Sequence, residues 1–318
     1  LIGSNKDLIN IVDIIIDPLK EFDLKYFYGI RFLPKVLLQG QYADDIASYL
    51  QFPLSKLKFE LERNSAEEIL FEIVSLIYVM NWDSSFFRLN IAFLSSICLT
   101  KNIEIYVQNF VESNDINLIQ FRCNCHDRET VRLSENNKYS FVDIRLTMEK
   151  YINDTFIPVD KRKGLDFRKA VKADIEGLVE CGQNLYYDSR YYYDKNFDNK
   201  KVDEFYSGWI NKAVLGAFDD FCYALYENNK PIGFCTIKVK NRHSASIGLL
   251  GVHQNYISLG MGQYMLNMVI GELYKDGITY IDVVTQGRNY SAQRLYQRCG
   301  FLTVSNELWF HKWLSKVN

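Results

Sequence analysis

The chain has 318 residues, 48% of them apolar, and a formal net charge of −2, which suits two domains with real cores and argues against disorder. No uncharged apolar run reaches the roughly 20 residues needed to span a bilayer, because the stretches at 69–80 and 89–100 are too short or interrupted. No cleavable signal peptide is visible and seven cysteines form no disulfide framework, so a reduced, cytoplasmic protein without a membrane partner is expected. The chain begins at Leu1 rather than Met, which leaves open whether its native start is present.

Charge divides unevenly along the chain. Residues 1–160 carry −7 and residues 161–318 carry +5. The basic second half fits either a small polyanionic ligand or an ordinary solvated surface. The one dense basic cluster, Lys161-Arg162-Lys163, sits in a linker-like stretch, and no nucleic-acid partner is expected.

In chain order, amphipathic helical patterns fall at 44–50, 54–61 and 66–78, the last after the capping-box signal Ser65-x-x-Glu68. The run Asn81-Trp82-Asp83-Ser84-Ser85-Phe86-Phe87 opens a second part, which continues with strand-like runs at 117–122 and 139–147. Polar, poorly periodic residues from 151 to 164 read as a linker. A third part follows with a strand at 167–171, helices at 173–186 and 202–215, and strands at 222–226, 231–239 and 245–252. It closes with a glycine turn and helix, a strand at 280–284, a helix from 289 to 296, and two strands at 302–305 and 308–313. Cys123-Asn124-Cys125-His126 lacks the second pair that a closed tetrahedral metal site needs, and no metal is expected.

Two motifs in the third part carry chemistry. Gly260-Met261-Gly262 lies between the strand 245–252 and an apolar helix. Glycines let the backbone approach a ligand closely, and the first N–H groups of a helix have no partners of their own. Such a turn favours a phosphate, although a lone Gly-x-Gly also serves a tight turn. The second motif, Asn289-x-x-Ala292-x-x-Leu295-Tyr296-x-x-Cys299-Gly300-Phe301, has helical spacing with Gly300 as a natural stop.

Strand, glycine loop and helix in this order resemble the GNAT acetyltransferases, whose loop reads Gln/Arg-x-x-Gly-x-Gly/Ala; here Ile257 holds the first position. The resemblance implies an α/β (α+β) fold with a mixed central sheet flanked by helices, occupying 165–318. It would be preceded by a partial GNAT-like β/α subdomain at 81–160 and a helical N-terminal extension at 1–80. It also implies acetyl-CoA as co-substrate. Leu250, Gly251 and Val252 would bind the pantetheine, and Ser258, Leu259, Gly260, Met261 and Gly262 the pyrophosphate. Asn289 either contacts the pantetheine arm, with Ala292 beside it, or only caps its helix. Tyr296 would protonate the departing thiolate, since a phenol with a pKa near 10 can donate to it, or else only packs.

A narrower pattern precedes these motifs. Ser189-Arg190-Tyr191, then Phe205-Tyr206-x-x-Trp209-Ile210-x-x-Ala213-Val214-x-Gly216-x-Phe218-Asp219 and Cys222, is similar to the TDP-fucosamine acetyltransferases. These N-acetylate a TDP-linked 4-amino-4,6-dideoxyhexose for surface polysaccharide assembly. The similarity covers about 81–318 and is weak from 88 to 160; Arg88 stands where that family has Gly after two Phe. It implies a nucleotide-sugar acceptor, with Arg190, Tyr191, Trp209 and Asp219 in its site. Tyr186, Tyr187, Tyr192 and Tyr193 lie in the same aromatic stretch, where a thymine ring has faces to stack on. The competing roles are core packing for Tyr206, Trp209 and Phe205, and a structural salt bridge for Arg190. The general base is open between Asp188, Asp219 and a water chain, while His243 and His253 read as surface residues. Other amine acceptors (a polyamine, an antibiotic or a protein N-terminus) and a non-catalytic binding module remain alternatives, as does the choice between monomer and homodimer.

Overall fold

The computed structural model describes residues 75–96, 101–153, 157 and 159–314. The helical patterns at 44–50 and 54–61 lie outside them. The pattern at 66–78 is described only from Ser75, where strand β1 (Ser75–Val79) replaces the expected helix. Ile77 and Val79 are both buried, and β1 pairs antiparallel with β2 (Ile91–Ser96) from Ser75↔Ser96 to Val79↔Ala92. A β-branched run with a partner strand overrides the helical spacing that precedes it.

The chain divides into two compact units, the first ending at Phe141 and taking up the chain again from Leu308, the second running from Val142 to Glu307. In the first unit, α1 (Asn81–Phe87) joins β1 to β2, and α2 (Lys101–Asn114) joins β2 to the parallel strand β3 (Leu118–Asn124). Helix α3 (Arg128–Asn136) is capped by Asp127, whose carboxylate accepts from Thr130 N at 3.0 Å. Arg88, which ends α1, sits at φ 56°, ψ 42°. That is the left-handed region where glycine is the ordinary occupant. The core of this unit gathers Ile77, Leu94, Phe110, Ile119, Phe121 and Phe310.

In the second unit, which holds β10 only as far as Glu307 and β4 only from Val142, the strands lie in the order β10-β4-β9-β8-β7-β6-β5. These are β4 (Ser140–Tyr151), β5 (Leu165–Lys169), β6 (Phe221–Glu227), β7 (Lys230–Asn241), β8 (Ser244–Val252), β9 (Tyr280–Gln286) and β10 (Leu302–Trp313). Helices α4 (Ile175–Cys181), α5 (Arg190–Tyr193) and α6 (Asn199–Val214) lie between β5 and β6; α7 (Met261–Lys275) follows β8, and α8 (Tyr290–Arg298) follows β9. This mixed sheet with flanking helices matches the expected α/β class. Two boundaries differ from expectation. The helix expected at 173–186 stops at Cys181, and Asn184 turns left-handed at φ 60°. The two closing strands are one, β10, and its Glu307 accepts a 2.7 Å ion-paired bond from Arg145 of β4 where a turn was expected.

Among the described residues, no helix is long and apolar enough to cross a membrane, and no cluster of three or more His, Cys, Asp or Glu is arranged to hold a metal ion. The described cysteines are free thiols. Burial pushes Cys181 and Cys222 up to about 12 and Cys299 to about 11.

Candidate active site

A slot opens in the middle of the second unit's sheet. Strands β8 and β9 pair in parallel from Ser244↔Tyr280 only as far as Ile247↔Val283. Beyond that point each keeps its outer neighbour, β8 pairing with β7 up to Gly233↔Val252 and β9 with β4 up to Arg145↔Gln286. The separation coincides with an irregularity: Cys235 faces Leu250 and Ile237 faces Ile247, so β8 holds one extra residue there. Such a bulge bends a strand and raises its twist. Thr236 compensates for the lost ladder bond, its buried hydroxyl accepting from Leu249 N at 2.7 Å. The main chain of Leu250, Gly251 and Val252 therefore runs along one wall of the slot without a β9 partner in the ladder.

The glycine loop sits at the end of β8. After a short 3-10 turn at Gln254–Tyr256, Ser258 and Gly260 both take positive φ, 66° and 75°. Gly260 is the N-cap of the 15-residue helix α7 and offers no side-chain cap, so the first amides of the helix point out of the loop unmasked by one. A Cβ at Gly260 would meet nothing within 4 Å, whereas one at Gly262 would lie 3.3 Å from Leu295 and 3.5 Å from Val252. Gly260 thus borders open space, and Gly262 lets α7 approach α8 and β8. Leu259 and Ile257 are exposed, while Met261 packs partly against the core.

On α8, Asn289 is the N-cap: its side-chain oxygen accepts from Ala292 N and from Ser291 Oγ, each at 3.0 Å. Seven residues on, Tyr296 is buried and tilted against Phe301 at 5.7 Å. Burial, with the Cys235 and Cys299 thiols nearby, holds its phenol well above the ordinary value. It stays a neutral proton donor throughout the physiological range.

The residues expected on the acceptor side form an aromatic group. Trp209 Nε1 donates to the Oδ2 of buried Asp219 at 2.9 Å. Tyr186, Tyr206 and Trp209 make a column, with rings 4.4 and 6.4 Å apart and nearly parallel. Tyr191 is buried against Phe197 and Phe205. Arg190 lies over the Tyr191 ring at 4.2 Å and donates to its hydroxyl at 2.9 Å. Sequence reading missed Arg288, in the loop after β9, which donates to Val142 O at 2.6 Å, covers the Tyr193 ring at 4.1 Å and lies 3.8 Å from Asp143. Burial raises Asp143 to about 6 against the opposing pull of Arg288 and Arg190. Burial also raises Asp188, again opposed by Arg288. No motif marks Arg288, because its partners are distant in sequence. His253 caps the short turn after β8, accepting from Asn255 N at 3.3 Å, and His243 is exposed.

Comparison with known proteins converges on one family. Residues 183–301 match the acetyltransferase (GNAT) family model. A dTDP-fucosamine acetyltransferase from Escherichia coli O6:H1 is 26% identical over 163 residues, 50% of this chain and 68% of that protein. A GCN5-related N-acetyltransferase from Sphaerobacter thermophilus shares the fold at TM-score 0.58, with 14% identity over 91% of this chain and 96% of its own. A tandem GNAT protein from the clavulanic acid biosynthesis pathway superposes at TM-score 0.52 with 9% identity, covering 100% of this chain and 98% of its own.

Proposed function

The chain is an N-acetyltransferase of the GNAT family through residues 183–301, and we propose that it transfers the acetyl group of acetyl-CoA to the amine of a nucleotide-linked, TDP-type amino-dideoxy sugar. The observation that carries the reading is the joint placement, in one compact unit, of the β8–β9 slot, the uncapped α7 N-terminus and the Tyr296 phenol. The sugar acceptor is supported by the 26% identity to the dTDP-fucosamine enzyme. Surface polysaccharide assembly is the context implied by the resemblance carried by Ser189-Arg190-Tyr191 and the run from Phe205 to Cys222.

In this reading the amides of Ser258, Leu259, Gly260, Met261 and Gly262 receive the pyrophosphate, helped by the partial positive charge at the α7 N-terminus. Main-chain groups of Leu250, Gly251 and Val252 hold the pantetheine arm and polarise the thioester carbonyl. Asn289, its oxygen committed to the cap, sets the direction of α8, and Ala292 keeps that surface small. The neutral amine attacks the carbonyl carbon, the C–S bond breaks, Tyr296 gives its proton to the departing sulfur, and the nitrogen loses a proton to water, which restores the phenol. The buried Asp219, oriented by Trp209, serves as the carboxylate that receives the substrate ammonium before its proton leaves. Arg190 and Tyr191 shape the acceptor side, the guanidinium leaving Tyr191 to engage phosphate.

Thiol release measured with acetyl-CoA and a panel of TDP- and UDP-amino sugars tests this directly. A TDP-amino sugar should give the highest kcat/KM, and Arg190→Ala should raise its KM while leaving acetyl-CoA binding intact. Faster turnover with a polyamine, an aminoglycoside or a peptide N-terminus would replace the acceptor.

A further inference from the structure

Two buried hydroxyls beside the slot have no hydrogen-bond partner: Tyr186 Oη and Ser189 Oγ. They lie at the two ends of one turn, in which Ser189 N donates to Tyr186 O at 2.9 Å. A buried hydroxyl left unpaired is costly, so an orphan at a site is a place kept for a ligand or a water.

The position of Tyr186 is set from two sides. Its ring stacks on Tyr206 at 4.4 Å and 19°. The preceding residue, Leu185, lies against Gly251, where an added Cβ would come within 2.7 Å of Leu185 Cδ1 and of Phe234. The turn therefore covers the stretch of β8 that lines the slot, and only a glycine backbone leaves room for it. Burial raises the Tyr186 phenol well above its ordinary value, Tyr206 and then Tyr296 adding to the effect. Tyr186 is thus a neutral O–H donor.

We propose that Tyr186 is a second catalytic phenol, whose O–H hydrogen-bonds the thioester carbonyl oxygen as negative charge develops there. This rests on the slot assignment made above. The division of labour follows from the bonds that change. The amine nitrogen forms a bond to the carbonyl carbon, and the carbonyl π pair moves onto oxygen. Tyr186 and the β8 amides stabilise that oxygen without giving up a proton. When the pair returns and the C–S bond breaks, the proton goes to sulfur from Tyr296, and the proton shed by the nitrogen as it becomes an amide passes to water and so back to the phenolate. A donor aimed where charge appears lowers the barrier without tightening ground-state binding.

The test compares the full-length parent with Tyr186→Phe, which keeps the ring and its stack. Thiol release is followed with the best amino-sugar acceptor and again without acceptor, under single-turnover conditions, where water attacks the thioester. Both rates should fall roughly hundredfold, with acetyl-CoA affinity nearly unchanged and the melting temperature equal to or above the parent's. Rates equal to the parent's would overturn the proposal. So would a loss of activity accompanied by weaker acetyl-CoA binding or a lower melting temperature, which would make Tyr186 a packing residue. If no amino sugar is acetylated, the acceptor assignment fails, yet the acceptor-free rates still decide the role of Tyr186. If the parent does not bind acetyl-CoA, the slot assignment itself fails and this proposal with it.

Discussion

The carboxylate of Asp219 rests on the main chain of Gly248: a Cβ added at position 248 would collide with Asp219 Oδ2 and stand 2.7 Å from Thr236 Oγ1. Gly248 lies at the bulge where β8 leaves β9, so one absent methyl group lets a buried acid reach the head of the slot. Gly248→Ala should lower stability by about 1–3 kcal/mol, the range for overfilling a packed site. Thermal melting reads this, and an unchanged transition would mean that Asp219 has room to move.

Gly260→Val should weaken acetyl-CoA binding at least about a hundredfold, since two or three charge-assisted bonds at roughly 1.5–3 kcal/mol each are at risk. The positive φ of 75° adds strain for a branched side chain. Titration calorimetry on the folded variant measures it. Parental affinity would remove the pyrophosphate from this loop.

Tyr296→Phe keeps the contact with Phe301 and removes the donor, so kcat should fall roughly 10²–10³-fold with little change in KM. The phenol is raised by burial, so its loss of the proton lies above the range of a free tyrosine. In the parent, kcat should therefore show no descending limb from this group between pH 7 and 10. A variant close to the parent in kcat would leave Tyr296 a packing residue.

The placement of these two residues, one at the start of α7 and one buried on α8, was legible in the sequence because each belongs to a local pattern, a glycine pair before an apolar helix and a tyrosine at fixed spacing from a capping Asn. The sheet class and most strands were legible for the same reason. Asp219 could be named, but its seat on Gly248 joins β8 to the start of β6, and no local signal encodes that contact. Arg288 was missed outright, since Val142 and Asp143 on β4 and Tyr193 on α5 are far from it in sequence and reach it only in the folded chain. Strand β1 was misread because its last turn of helical spacing runs straight into a β-branched run, and only the partner β2 decides between them.

Asp143 should give stability a pH dependence. Its carboxyl sits near 3.8 when unfolded and at about 6 when folded, raised chiefly by burial. The folded state holds the proton more tightly, so this contribution is complete below about 3.8 and is lost as pH rises through about 6. It is worth on the order of 3 kcal/mol across that window. Asp143→Asn should flatten the decline between pH 4 and 6 in chemical denaturation, and an identical slope in parent and variant would refute the assignment.

Arg88 occupies a left-handed cap. Arg88→Gly should stabilise the first unit by roughly 1 kcal/mol, because a side chain costs about 1–2 kcal/mol in that conformation. A rise of the melting temperature checks it; a fall would mean that the arginine makes contacts worth more than its strain.

The buried cysteines bear on how the reaction is followed. Thiols held near 11 or 12 stay protonated at neutral pH and answer slowly to disulfide reagents or alkylators. In a colorimetric thiol assay the folded protein should therefore be nearly silent at Cys181, Cys222 and Cys299, leaving half-buried Cys125 as the open thiol among the described residues. Free CoA then reports turnover, and a delayed second rise in colour dates the moment the polypeptide itself comes apart.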